Sequence, residues 1–266
     1  MNRQLLTAIL LLAGSILFAQ LPYWQWSMRG GGADNDHGKS IAVDAQGNSY
    51  IAGDFYGNPY IGNTLLSSSG QNDIYVAKLD SQGNWLWARQ AGGTGNDGAE
   101  GIVVDGAGNV FVTGYFSGTA TFASTTLTCY GGWDVFVAKL DTNGYLQWVV
   151  QSSGASYESV SAIALDGSGN LLITGFYNQT AIFGTTSLAA YGGNDIFVAK
   201  LDNDGNWLWA RRAGGPGEDA GSAIAADNAG NSYVTGYFSE TAAFAFTNLT
   251  SYGSIDVFIA KLGPDG

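Results

Sequence analysis

Four carboxylates at one fixed spacing are the first groups in this chain that could do chemistry. Asp36, Asp97, Glu158 and Asp219 recur every 61 residues, each just ahead of a short apolar run. Hard cations take oxygen ligands, so a ring of these four at one channel mouth is an expected calcium site. The competing expectation is local: each carboxylate accepts hydrogen bonds from backbone N–H groups of its own glycine-rich loop. A second series, Asp44, Asp105, Asp166 and Asp227, opens an Asp-x-x-Gly-Asn run in each unit. That spacing does not match the twelve-residue loop of the EF-hand type, and turn capping is its expected use. Lys78, Lys139, Lys200 and Lys261 lie inside apolar runs, all but the last with an acidic residue two positions on. A structural salt bridge or a snorkelling stem suits them better than a catalytic amine.

Nucleophilic chemistry finds little to build on. His37 is the single histidine, with Gly98, Ser159 and Ala220 at the equivalent places, and is expected to be a solvated loop residue. Without a second histidine or an activated thiol, no base–nucleophile set can be assembled, so no catalytic residue is assigned. Cys129 shares its position with Ser68, Ala190 and Ser251, so the slot asks only for a small side chain. The run Gly92-Gly93-Thr94-Gly95 lacks the Lys-Ser/Thr ending of a phosphate loop and reads as a turn. A glycosidase would need carboxylates peculiar to particular units; Asp34, Glu100 and Glu240 are among the few such residues.

Composition narrows the partners. The chain has 22 acidic and 10 basic residues, a net charge of −12, which repels phosphate backbones and argues against nucleic acid. An extracellular protein or a glycan is the expected partner class, with calcium the one cofactor that the pattern admits. Residues 1–19 read as a secretory signal peptide: a basic start at Arg3, an apolar stretch from Leu5 to Phe18, then Ala19-Gln20 as the exit. No later apolar stretch is long enough to span a bilayer, so export to the medium or the cell surface of a bacterium is expected.

The elements that must position these groups repeat with the same period. Trp26, Trp87, Trp148 and Trp209 fall 61 residues apart, as do Gly53, Gly114, Gly175 and Gly236. Such a period marks modules that bury their apolar faces only against neighbours. The units run over about 24–84, 85–145, 146–206 and 207–266, within a repeat domain of 20–266. Each carries four strand signals: Ile102-Val103-Val104, residues 109–116, residues 134–140 and residues 146–151 in the second unit. About sixteen further residues separate the second and third. They hold a fixed apolar pair (Ile61/Leu66, Phe122/Leu127, Phe183/Leu188, Phe244/Leu249) and read as a small hairpin docked on the sheet. The tryptophans alternate in their strands, so one of each pair should pack on the adjacent unit.

Four strands per unit, no helical period and glycine turns make the chain all-β, a β-propeller of four consecutive four-stranded blades. The residues from Gly31 to Asp80, with Ile-Ala-Val-Asp-x-x-Gly-Asn-x-Tyr-Ile-Ala-Gly and Asp-Ile-Tyr-Val-Ala-Lys-Leu-Asp, resemble the seven-bladed β-propeller (SBBP) repeat family. The likeness extends over 24–266, with four units where the family name counts seven. It implies a secreted or surface-exposed bacterial protein with no shared catalytic residues, hence a binding or structural scaffold; a carbohydrate-active enzyme on the same scaffold is the alternative. The tryptophan strand expected at 23–29 would supply the fourth strand that the last unit lacks. Closure of a four-blade ring is therefore expected, against an open arc of a larger one.

Overall fold

The computed structural model describes residues 23–266, so the leader expected at 1–19 lies outside the described residues. Those residues contain strands and turns and no helix. The first blade holds β1 (Asp36–Val43), β2 (Ser49–Phe55), the short pair β3 (Tyr60–Ile61) and β4 (Thr64–Leu65), β5 (Asp73–Leu79) and β6 (Trp85–Gly93). The second holds β7 (Gly98–Val104), β8 (Val110–Phe116), β9 (Thr119–Phe122), β10 (Thr125–Thr128), β11 (Asp134–Leu140) and β12 (Leu146–Gln151), followed by the short β13 (Ser153–Gly154). The third holds β14 (Glu158–Leu165), β15 (Leu171–Tyr177), β16 (Thr180–Phe183), β17 (Thr186–Ala189), β18 (Asp195–Leu201) and β19 (Trp207–Ala213). The fourth holds β20 (Ala220–Ala226), β21 (Ser232–Phe238), β22 (Thr241–Phe244), β23 (Thr247–Thr250) and β24 (Asp256–Leu262).

Each of the first three blades is an antiparallel meander of four strands, as in β7-β8-β11-β12. The period-2 alternation explains how one strand serves two cores. In β11, Val135 and Val137 face the third blade, whereas Phe136, Ala138 and Leu140 face the first. All five are buried, and each large apolar side chain so placed contributes about 1.5–3 kcal/mol. The expected small hairpin is present as β9–β10 and its equivalents, but it does more than dock. Gly92 and Gly93 at the end of β6 pair with Thr121 and Ala120 of β9, so the hairpin ties its blade to the preceding one. Ser153 and Gly154 do the same with Ile182 and Ala181. The Gly92–Gly95 run is therefore partly strand, not only a turn.

The innermost strands lie side by side in chain order: β1 beside β7, β7 beside β14, β14 beside β20. Among the described residues β20 and β1 are not packed together, and the last sheet has only the three strands β20-β21-β24. The blades therefore form an open arc, and the closed four-blade ring is corrected. Residues 23–29 carry no strand assignment. Trp26 instead packs on Gly83 (φ +85°), where a Cβ would come within 2.9 Å of the ring. Trp87 meets Gly144, Trp148 meets Gly205 and Trp209 meets Gly266 in the same way. The N-terminal segment thus sits on the first blade as a preceding outer strand would and does not pair with β24.

Candidate functional face

The two ends of every blade differ in chemistry. At one end lie the hairpins between first and second strands and between third and fourth strands, and these are framework. Asp105 Oδ1 accepts from Ala107 N (2.9 Å) and Asn109 N (2.8 Å), while Oδ2 accepts from Asn109 Nδ2 (2.8 Å). Asp44, Asp166 and Asp227 repeat the pattern, so all four cap turns. Asp80 and Asp202 repeat it again in the outer hairpins. These bonds hold the carboxyls of Asp44, Asp166 and Asp202 below the usual range, although burial works against them. The tryptophan of each outer strand clamps the next blade's turn, joined by an arginine in the first and third blades. Trp87 Nε1 donates to Thr142 O (3.1 Å) and Arg89 Nη2 to Asn143 O (2.8 Å); Trp209 donates to Pro264 O (3.0 Å) and Arg211 to Asp265 O (3.1 Å). The lysines are structural too, but their partners are not the acids two positions on. Lys200 pairs with Asp166 (2.9 Å) and donates to Pro264 O, Lys139 donates to Asn203, and Lys78 lies over the Tyr50 ring.

The row Asp36, Asp97, Glu158 and Asp219 is placed at the other end, but inside the blade junctions. Asp97 accepts from Gly93 N (2.7 Å) and Ser117 N (3.0 Å), and Asp219 from Gly215 N (2.7 Å) and Ser239 N (3.0 Å). Asp36 accepts from Gly32 N (2.7 Å). Asp97, Glu158 and Asp219 are fully buried. Among the described residues, no three His, Cys, Asp or Glu side chains come close enough to share a metal ion. The four carboxylates expected to share a calcium ion stand in separate junctions, where Asp36, Asp97 and Asp219 accept from backbone N–H groups and Glu158 reaches the Ser152 hydroxyl.

Each junction also brings in the aspartate that opens the preceding blade's third strand. Asp73 meets Asp97, Asp195 meets Asp219, and Asp134 meets Glu158. Burial pushes Asp73, Asp97 and Asp195 up to about 6. Glu158 is raised further, first by burial and then by the Asp134 carboxylate. Asp134 Oδ1 and Glu158 Oε1 are buried with no other hydrogen-bond partner, so one proton held between them satisfies both. Glutamate differs from the aspartates here because its longer side chain reaches Asp134 and Ser152 Oγ instead of the Gly154 amide.

The surface of this second end carries the unit-specific residues. Every innermost strand has a β-bulge that leaves one residue unpaired at the same place: Lys39, Glu100, Ser161 and Ser222. Bulges re-aim side chains and recur beside functional sites. Lys39 Nζ stands 3.7 Å from both Asp54 Oδ1 and Glu100 Oε1. His37 is not a free loop residue: it lies in β1, and its Nδ1 is 2.8 Å from Asp54 Oδ2. Glu100 is raised by burial, with Lys39 opposing the shift. Around the same end, Tyr130, Tyr191 and Tyr252 stand 61 residues apart and point outward, 73% and 59% exposed for the first two and fully exposed for the third. Arg212 stacks over Tyr191 at 3.8 Å, beside a concave loop surface that includes Asn178, Asn194 and Glu218. The period itself was the signal for these tyrosines. Because the first unit has Ser69 at that position, the series escapes a search for four matching residues.

The profile described as "Beta-propeller repeat" (SBBP) matches residues 86–115 and 208–237, which run from an outer strand through the next blade's second strand. These two stretches are SBBP beta-propeller repeats by that match. The chain is 28% identical over 230 residues to the "Uncharacterized WD repeat-containing protein L264" of Acanthamoeba polyphaga mimivirus, covering 72% of itself and 17% of that protein. It is 28% identical over 148 residues to the "Regulatory protein FlaEY" of Caulobacter vibrioides, covering 52% of itself and 15% of that protein. The chain thus spans less than a fifth of the length of either relative. Among solved structures, a protein of unknown function from Bacteroides caccae aligns with a TM-score of 0.35 and 11% identity, over 74% of this chain and 69% of that one. No helix among the described residues is long and apolar enough to cross a membrane.

Proposed function

We propose that this chain is an exported, non-enzymatic binding scaffold that contacts an extracellular protein or glycan through the tyrosine-bearing end of its blades. The observation that carries this reading is the division of labour between the two ends. Repeated aspartates, lysines and tryptophans are spent on hairpins and junctions, whereas Tyr130, Tyr191 and Tyr252 recur exposed at one end, with Arg212 stacked over Tyr191. Tyrosine offers a large rigid apolar face with a polar tip, the combination that sugar and protein surfaces engage at low entropic cost. A carbohydrate-active enzyme is the second reading, favoured by the unit-specific group His37, Lys39, Asp54 and Glu100 at the bulges of the first two blades. A panel of plant and microbial polysaccharides, scored for both binding and product release, separates them. Saturable binding without turnover supports the scaffold; turnover of any polymer sinks it. Export is tested by N-terminal sequencing of secreted material, which should begin at Gln20 or a near neighbour, whereas an intact Met1 contradicts it.

A further inference from the structure

Trp24, Trp85, Leu146 and Trp207 share one place in the 61-residue period, so position 146 alone lacks the indole. In the third blade Trp207 packs into the core shared with the second, its ring 5.2 Å from Phe183, which lies 4.8 Å from Phe197. The second blade keeps the matching pair, Phe122 and Phe136 at 4.8 Å, without the third ring. What remains is a cavity of about 340 Å3 between the first two blades, walled by Val76 and Ala91 on one side and Val112, Phe136 and Leu146 on the other. A tryptophan at position 146 could not simply refill it, because Ala123 replaces the glycine seat. At the equivalent Gly184 a Cβ would come within 2.9–3.2 Å of Trp207 Cβ, Cδ1 and Cγ. Those atoms are the root of the side chain, so Ala123 bars a ring tethered at position 146 and leaves room for a free one.

The cavity has one cation on its wall and no carboxylate. Arg89 spends three of its five N–H groups on Gly144 O, Ala88 O and Asn143 O, and it forms no ion pair among the described residues. Gln90, also on the wall, is already held by Ser67 through both ends of its amide. We propose that this cavity binds a flat aromatic carboxylate built on a ring system the size of indole. Its ring lies against Phe122 and Phe136, and its carboxylate takes the two remaining N–H groups of Arg89. Preformed apolar cavities accept free aromatic molecules, and a guanidinium fork matches a carboxylate. The net charge of −12 is diffuse and is screened beyond about 8 Å, whereas the fork acts at contact. None of Tyr130, Tyr191 and Tyr252 lines this cavity, so the site stands apart from the polymer-binding reading.

Methyl-resolved NMR of the full chain during titration with indole-3-acetate reads the site directly. Resonances of Val76, Val112 and Leu146 should shift and saturate together. Indole, with no carboxylate, should bind about tenfold more weakly or worse. The acid should lose as much on the Arg89→Lys variant, which keeps the charge but not the fork. Leu146→Trp combined with Ala123→Gly fills the cavity from within, and the Val76 and Val112 resonances of that variant should no longer respond. Absence of a saturable shift at Val76 and Val112 overturns the proposal, and so does binding by the filled variant as tight as by the wild type. Indole binding as tightly as its acid overturns the assignment of a carboxylate to Arg89. The wild-type titration decides alone if the filled variant fails to fold.

Discussion

Replacing Glu158 by glutamine should make this protein more stable at neutral pH and remove most of its pH dependence there. The unfolded chain holds Glu158 near its ordinary value of 4.5, whereas burial and Asp134 raise it in the folded state. A raised folded value gives stability that is full below about pH 4.5 and is lost as pH rises toward the folded value. Over that window folding takes up one proton, so stability falls by about 1.4 kcal/mol per pH unit. By pH 7 the accumulated loss is about 3 kcal/mol. Asp73, Asp97 and Asp195 add their own losses between roughly pH 4 and 6 and then level off, because they titrate at about 6. The interval from pH 7 to 8 therefore isolates the Glu158 pair. Glutamine carries a permanent N–H that can donate to the orphaned Asp134 Oδ1, so the variant needs no proton. Urea denaturation at pH 7 and 8 measures both. The wild type should lose about 1 kcal/mol across the step and the variant close to nothing. Equal slopes, or a variant less stable than the wild type at pH 8, would refute the shared-proton account.

Three further outcomes follow from the same geometry. Asp166→Ala removes three turn bonds and strands the buried Lys200, and should cost about 3 kcal/mol or more in a thermal or denaturant melt. Leu146 stands where Trp85 and Trp207 stand in their blades, and a cavity of about 340 Å3 opens beside it between the first two blades. Ala123 (φ +53°) there replaces Gly62 and Gly184, so Leu146→Trp should help only together with Ala123→Gly. A double-mutant cycle should show a favourable coupling of about 1 kcal/mol or more, and additive effects would contradict the packing. Millimolar calcium should leave the melting temperature where it is, and a rise of several degrees would revive a cation site in the acidic row.

How much of this was legible in the sequence depends on the range of the interaction. The 61-residue period, the four strand signals and the Asp-x-x-Gly-Asn turns are local, and residues such as Asp105 and Asn109 meet within one hairpin. Trp87 packing on the next blade followed from alternation in its strand. The junction role of the acidic row was not legible because Asp97 and Asp219 take a donor from the preceding blade's last connection. The clue was present: Gly32, Gly93, Gly154 and Gly215 each precede the acid by four residues. Ring closure was beyond local reading, because residues 23–29 carry the same pattern whichever sheet they join. The bulges at Lys39 and Glu100 and the His37–Asp54 pair depend on strand register, which the residue types alone leave open.

Comparative binding of the wild type and the Tyr130→Ala/Tyr191→Ala/Tyr252→Ala variant tests the scaffold claim most directly. Both proteins would be applied to one array of polysaccharides and extracellular matrix proteins, with melting curves to verify folding. Because the three rings are exposed, the variant should melt within about a degree or two of the wild type. The account predicts that the wild type binds at least one immobilised polymer or protein without converting it, and that the variant loses the binding at least tenfold, about 1.4 kcal/mol. Equal binding by the two proteins, or release of a product by either, would contradict it.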